Sequence, residues 1–138
     1  FVIGGDLAGF FNEYIGLGGF VNYRQYNDGS VSSVVAGPKI LSRFYNRTQN
    51  SAFILSVGLG YVSYQESVSS IKATGGTFGT TLEIGYEIGL SKSVALMINA
   101  CLTAGSLGKI TVNGKTSDLD KRGSLSSLSL AVGLVFGR

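Results

Sequence analysis

Over residues 77–88 bulky apolar side chains alternate with small or polar ones. Phe78, Leu82, Ile84, Tyr86 and Ile88 take one parity, and Thr77, Gly79, Thr81, Glu83, Gly85 and Glu87 take the other. A period of two is the signature of a β-strand with two unlike faces. The same texture recurs along the chain. Residues 1–11 set Phe1, Ile3, Leu7 and Phe11 against Asp6 and Ala8, and residues 14–26 set Ile15, Leu17, Val21 and Tyr23 against Gly16, Gly18, Asn22 and Arg24. Residues 31–45 oppose Val34, Ala36, Pro38, Ile40 and Phe44 to Ser33, Gly37, Lys39 and Arg43. The next strand, reaching about residue 65, opposes Phe53, Leu55, Val57, Leu59 and Tyr61 to Ser56, Gly58 and Gly60. Beyond residue 93, Val94, Leu96, Ile98, Ala100 and Leu102 face away from Ala95, Met97, Asn99, Cys101 and Thr103; the last strand opposes Leu128, Leu130, Val132, Leu134 and Phe136 to Ser127, Ser129, Ala131, Gly133 and Val135. No helical period appears. The pattern predicts an all-β chain of seven antiparallel, up-and-down strands in a single domain spanning residues 1–138.

Turn chemistry divides the strands. Asn12-Glu13 and Ser91-Lys92-Ser93 read as tight turns, residues 46–50 as a polar connection, and Asn27-Asp28-Gly29-Ser30 as a hairpin. A Ser-rich loop is expected up to Gly75-Gly76, and a polar loop over about 113–123 carrying Lys115, Asp118, Asp120, Lys121 and Arg122. Turns are short after the first, third and fifth strands and generally longer after the fourth and sixth. That is the rim asymmetry of a membrane barrel, with the 27–30 hairpin as an exception. Pro38 lacks a ladder donor, so a bulge or locally weak pairing is expected there. The first and seventh strands run the same way, so antiparallel closure needs one more strand. It is expected before Phe1, giving eight.

Period alone does not say which face is wet; composition does. Only 14% of residues are charged, Gly numbers 21, and Trp and His are absent, while mean hydropathy is +0.30. In a soluble barrel the face opposite the bulky one meets water and should be rich in Lys, Glu and Asp. Here it is mostly Gly, Ser, Ala, Thr and Asn. A barrel of about eight strands has an interior just filled by side chains, so small residues suit the inside. The aromatic positions agree. Phe11, Phe44, Phe53, Tyr86 and Phe136 lie near the short-turn or C-terminal ends of the greasy face, and Phe1, Tyr23, Tyr61 and Phe78 lie at the opposite ends, as two lipid-facing girdles would. From Phe53 to Tyr61 is roughly 26 Å along the strand and about 20 Å of height once tilted, near the expected apolar band of about 25 Å. No apolar run is long enough for a spanning helix. The opening residues lack a signal peptide's charged start and cleavage site, so a mature or trimmed chain is expected.

With parity assigned, the chain resembles the small eight-stranded outer-membrane barrels, similar in architecture to the OmpA membrane domain and OmpX, and more closely the outer membrane protein β-barrel domain common in Bacteroidetes. Residues 9–18 carry the resemblance as a glycine-aromatic strand end, tight turn and hydrophobic restart. So do Gly37-Pro38 with Arg43-Phe44-Tyr45, Gly58-Leu59-Gly60-Tyr61, and the closing Leu134-Val135-Phe136-Gly137-Arg138. The family's opening strand is not matched, and the chain ends on Arg138 rather than on the terminal aromatic that barrel-assembly machinery commonly recognises, which leaves C-terminal trimming open. The resemblance implies a non-enzymatic, porin-like cell-envelope protein of the bacterial outer membrane. It would serve a structural role or act as an accessory subunit of a larger outer-membrane complex, with lipid, lipopolysaccharide and other outer-membrane proteins as partners. Two alternatives stay open: a soluble lipocalin-like carrier of an apolar ligand, and a small channel.

Candidate chemistry is sparse. Inward parity collects Asp6, Arg24, Lys39, Arg43, Glu83 and Glu87, readable as an ion-paired plug or as an ion path gated by exchange of partners. Absence of His removes Ser-His and Cys-His pairs and imidazole metal clusters. Glu83 and Glu87 stand roughly 13 Å apart along one face, too far for glycosidase work. No catalytic residue, metal or cofactor is expected. Cys101 reads as a small packed hydrophobe rather than a reactive thiol. Net charge of +3 is dispersed, with no basic run interleaved with aromatics, which argues against nucleic acid. Lys115, Lys121 and Arg122 read as a solvated face or as contacts to lipopolysaccharide phosphates.

Overall fold

The computed structural model describes residues 1–26, 31–48, 50–68, 71–113 and 115–136. The described residues are all-β: β1 (Val2–Phe10), β2 (Ile15–Tyr26), β3 (Val31–Tyr45), β4 (Ser51–Val68), β5 (Ile71–Gly89), β6 (Val94–Val112), β7 (Lys115–Ser124) and β8 (Ser127–Phe136). Each strand pairs antiparallel with its chain neighbour from β1 to β7, and β8 pairs with β6. β7 holds the far half of β6, from Ser106↔Ser124 to Val112↔Lys115, and β8 the near half, from Val94↔Phe136 to Thr103↔Ser127. Together they form one interrupted border, so the sheet has the seven positions that alternation predicts although eight strands are present. β1 and β8 run in the same direction and do not pair. The sheet is curled into an open half-barrel rather than a closed cylinder.

Two expected loops are strands. β4 continues to Val68 and β5 resumes at Ile71, paired throughout from Ser51↔Ile88 to Val68↔Ile71, so the Ser-rich stretch is the upper part of a tall hairpin. The polar stretch expected over 113–123 is mostly β7. Its register against β6 shifts between Leu107 and Lys109. The backbone of Lys115, Lys121 and Arg122 therefore lies in a strand; their side chains lie outside the described residues, as do the 27–30 hairpin and residues 137–138. The rims thus differ in how far the strands rise. At the tip of β6, Asn113 takes a φ of 47°, a left-handed conformation Asn tolerates, and ties the turn to β5: its N–H donates to the Lys72 carbonyl at 3.0 Å and its Oδ1 accepts the Lys72 N–H at 3.1 Å.

The opposite rim is closed by side-chain oxygens. Asn12 Oδ1 accepts the N–H groups of Tyr14 and Ile15, both at 2.8 Å; Asn46 Oδ1 accepts those of Asn50 (3.0 Å) and Ser51 (3.3 Å); Ser91 Oγ accepts those of Ser93 and Val94. Each is an Asx-type or Ser-type turn that satisfies backbone donors locally. Pro38 sits exposed on β3, paired with Gly19 of β2. On its β4 side the ladder skips Gly37 and Pro38 without changing register, which is weak pairing and not a bulge. At the gap the backbones close up, and a Cβ on Gly37 would collide with the Leu59 carbonyl oxygen. Gly37→Ala is expected to cost roughly 2 kcal/mol in reversible urea unfolding. Gly9→Ala, whose Cβ would enter open space, is expected to be near neutral in the same assay.

Candidate functional site

The strand pleat sorts the side chains as parity predicts. Arg24, Lys39, Arg43, Glu83 and Glu87 are buried, with Arg24 and Glu87 each 1% exposed, while Leu55, Val57, Leu82, Ile84, Leu130 and Val132 lie exposed on the other face. Asp6, on the border strand β1, is partly open, its side chain 32% exposed.

Inside the curl, Glu83 of β5 is the hub. Its Oε2 accepts Lys39 Nζ of β3 at 2.9 Å and Ser56 Oγ of β4 at 3.0 Å, and its Oε1 accepts the Asn99 side-chain amide of β6. Lys39 also donates to Asp6 of β1. Nearer the short-turn rim, Arg43 Nη2 meets Glu87 Oε1 at 3.0 Å, its Nη1 donates to the Tyr45 hydroxyl at 3.2 Å, and its guanidinium lies 4.3 Å from the centroid of Phe10. Burial of these charges is tolerable because each is paired and most of their remaining donors and acceptors are occupied. Arg43 Nε and Glu87 Oε2 remain without a partner, so that pair is end-on rather than a two-pronged fork.

Arg24 stands apart. It is held by Thr103 Oγ1 at 2.8 Å, by Ser127 Oγ and, more weakly, by Cys101 Sγ at 4.0 Å, reaching from β2 across the interior to β6 and β8. Sequence reasoning placed Arg24 in one network with the other five charges; the structure separates it. Phe20, Val35 and Val62 form a buried apolar cluster, against which Leu125 packs. Phe20 borders a cavity of about 550 Å³ that holds Lys39, Arg43, Glu83 and Glu87, whereas Val35 and Val62 border a second of about 140 Å³ beside Arg24. The Phe20 ring is accommodated by Gly58 and Gly60, where an added Cβ would lie 2.8 and 3.1 Å from it. Alternation places Ser56, Asn99, Thr103 and Ser127 inward, which is the signal for their roles, but it describes the inner face as small and polar and so misses the partition.

On the outer face the aromatics pair across strands. Phe44, Phe53 and Tyr86 form one continuous row through β3, β4 and β5, and Tyr61 opposes Phe78 with rings edge-on at 5.7 Å. Phe1, just before β1, and Tyr23 of β2 have ring centroids 6.0 Å apart, tilted at 50°. Phe1, Phe11, Phe44, Phe53, Tyr61, Phe78, Tyr86 and Phe136 are exposed and Tyr23 is half-buried; Phe11 and Phe1 lie just outside β1 rather than within it. Between the two rows the outward positions of β4 and β5 are Leu55, Val57, Leu59, Thr80, Leu82 and Ile84, with no charge among them. Beyond Tyr61 the outward positions turn polar, with Ser63, Gln65 and Thr74 exposed. In that taller part of β4, Tyr64 turns inward and donates to Glu66 Oε2 at 2.6 Å; partial burial, then that hydrogen bond and the Glu66 charge, push its phenol up to about 12, so it stays neutral at any ordinary pH.

Chemically the interior holds ion pairs and the separate Arg24, and among the described residues no group of His, Cys, Asp or Glu has the arrangement to hold a metal. Glu87→Ala is expected to cost about 3 kcal/mol, since it strands Arg43 as a buried unpaired cation. The double change Arg43→Met with Glu87→Leu is expected to recover most of that, measured as urea midpoints.

Comparison with known proteins adds no relative: no family model, no curated protein and no solved structure matches the chain.

Proposed function

We propose that this chain is an integral β-barrel of the bacterial outer membrane, without enzymatic activity, serving as a structural component of the envelope or as an accessory subunit docked on a larger outer-membrane complex. The observation that carries the reading is the inversion of the usual soluble pattern: Arg24, Lys39, Arg43, Glu83 and Glu87 are buried on the inner face, while the outward positions of β4 and β5 between the aromatic rows bear no charge. An uncharged outer surface of Leu, Ile, Val and Phe on this scale is costly in water and is what acyl chains require. The aromatic rows at its borders match the headgroup levels of such a band. A soluble carrier would need the opposite arrangement, with its apolar face lining the cavity. An ion path is opposed by the Phe20, Val35 and Val62 cluster between the two cavities.

In the membrane the borders must also be satisfied, because unpaired backbone groups are not tolerated in lipid. β1 and β8 share a direction, so a single strand antiparallel to both would close the half-barrel at eight sheet positions. Lys115, Lys121 and Arg122 of β7 belong to the far rim and are the proposed contacts to lipopolysaccharide phosphates.

The chain has no Trp, so Val57→Trp and Leu82→Trp each install a single reporter at mid-band. In vesicles their emission is expected to be quenched by brominated acyl chains and not by aqueous acrylamide; the reverse pattern, in a protein soluble without detergent, overturns the proposal. Leu82→Lys is expected to cost about 2–4 kcal/mol in vesicle unfolding, and Ser63→Lys, beyond the Tyr61 row, under about 1 kcal/mol.

A further inference from the structure

Among the described residues Arg24 is a fully buried ion whose bonded partners carry no opposite charge. Lys39 meets Asp6 and Glu83, and Arg43 meets Glu87. Arg24 meets two hydroxyls and a thiol, and among the described residues no carboxylate bonds it. Arg24 is 1% exposed, and among the described residues its Nε has no acceptor. A guanidinium keeps its positive charge in proteins. A charge buried that deeply needs an anion close by.

Space for one is present. The cavity of about 140 Å³ beside Arg24 is lined on β2, β3 and β4 by Tyr26, Ser33 and Tyr64, and on the β7–β8 side by Ser124, Ser126 and Ser127. All are hydroxyls; that of Tyr64 already donates to Glu66, while those of Tyr26, Ser33 and Ser127 can turn a proton toward an anion. Its floor is Val35 and Val62, which screen it from the acids of the larger cavity. Ser124 and Ser126, joined at 3.0 Å, are exposed at its mouth and give entry from the taller rim.

We propose that Arg24 is the base of a binding site for a small oxyanion of phosphate size, held by the free guanidinium donors and by the surrounding Ser and Tyr hydroxyls. The site's geometry is the same whether lipid or detergent covers the outer face, so its test stands apart from the membrane assignment.

The probe is inorganic phosphate added to the folded protein in an uncharged, phosphate-free detergent, at constant ionic strength. Melting temperature is expected to rise saturably, by roughly 5 °C at high occupancy, and the phosphorus resonance of the probe to broaden. Both effects are expected to vanish in Arg24→Gln and to persist in Arg43→Lys. Tyr26→Phe and Ser126→Ala, which leave the buried cation in place, are expected to weaken the half-saturation concentration several-fold and so report on the site even where Arg24→Gln does not fold. The proposal is overturned by absence of broadening and of a saturable shift with the parent protein, or by equal shifts in the parent, Arg24→Gln and the two rim variants.

Discussion

A single-layer sheet has no second layer against which to hide a charge, so burial of an ionic side chain here depends on partners that reach it from across the curl. The buried ion pairs among the described residues do so: Lys39 of β3 joins Asp6 of β1 and Glu83 of β5, and Arg43 of β3 joins Glu87 of β5, skipping one strand each time. Alternate strands lie about 9.6 Å apart in a flat sheet, and curvature toward the bonded face shortens the reach. Charge burial and curl are therefore one arrangement seen twice. Arg24 carries it further, bonding from β2 across the interior to β6 and β8.

Small residues make the curl possible and large ones are displaced outward by it. Gly58 and Gly60 admit the Phe20 ring, and the close approach of Gly37 to Leu59 lets β3 and β4 bend where Pro38 interrupts the ladder. The concave side has too little room for five bulky residues per strand. The convex side has ample area and receives them, with Tyr61 lying over the bare backbone of Gly76. The geometry that seals the ions thus fixes where the oily surface must be.

Alternation made most of this legible. Wherever one face is bulky and the other small, a strand's existence, span and parity follow from the residues, and the inward set of charges could be named. It fails where both faces are polar: the upper parts of β4 and β5 and the whole of β7 lack contrast between parities, so Ser, Gly and Lys there read as loops although β4 and β5 are laddered to Val68↔Ile71 and β7 pairs with β6 on either side of its register shift. Partnerships across the interior were equally hidden, because they depend on how far each strand is staggered against the next. That is why Arg24 was grouped with the acids it does not reach, and why the Phe20, Val35 and Val62 partition was missed.

All nine residues of β1 are solvent-accessible, on both faces and along the outer border. A border of that kind is a template as much as an edge, and it bonds whichever extended segment arrives first on nearly equal terms. Fidelity of assembly then becomes a contest of timing. Until that border is covered, a stranger or another copy caught at the same stage can zip onto it and seed a fibre.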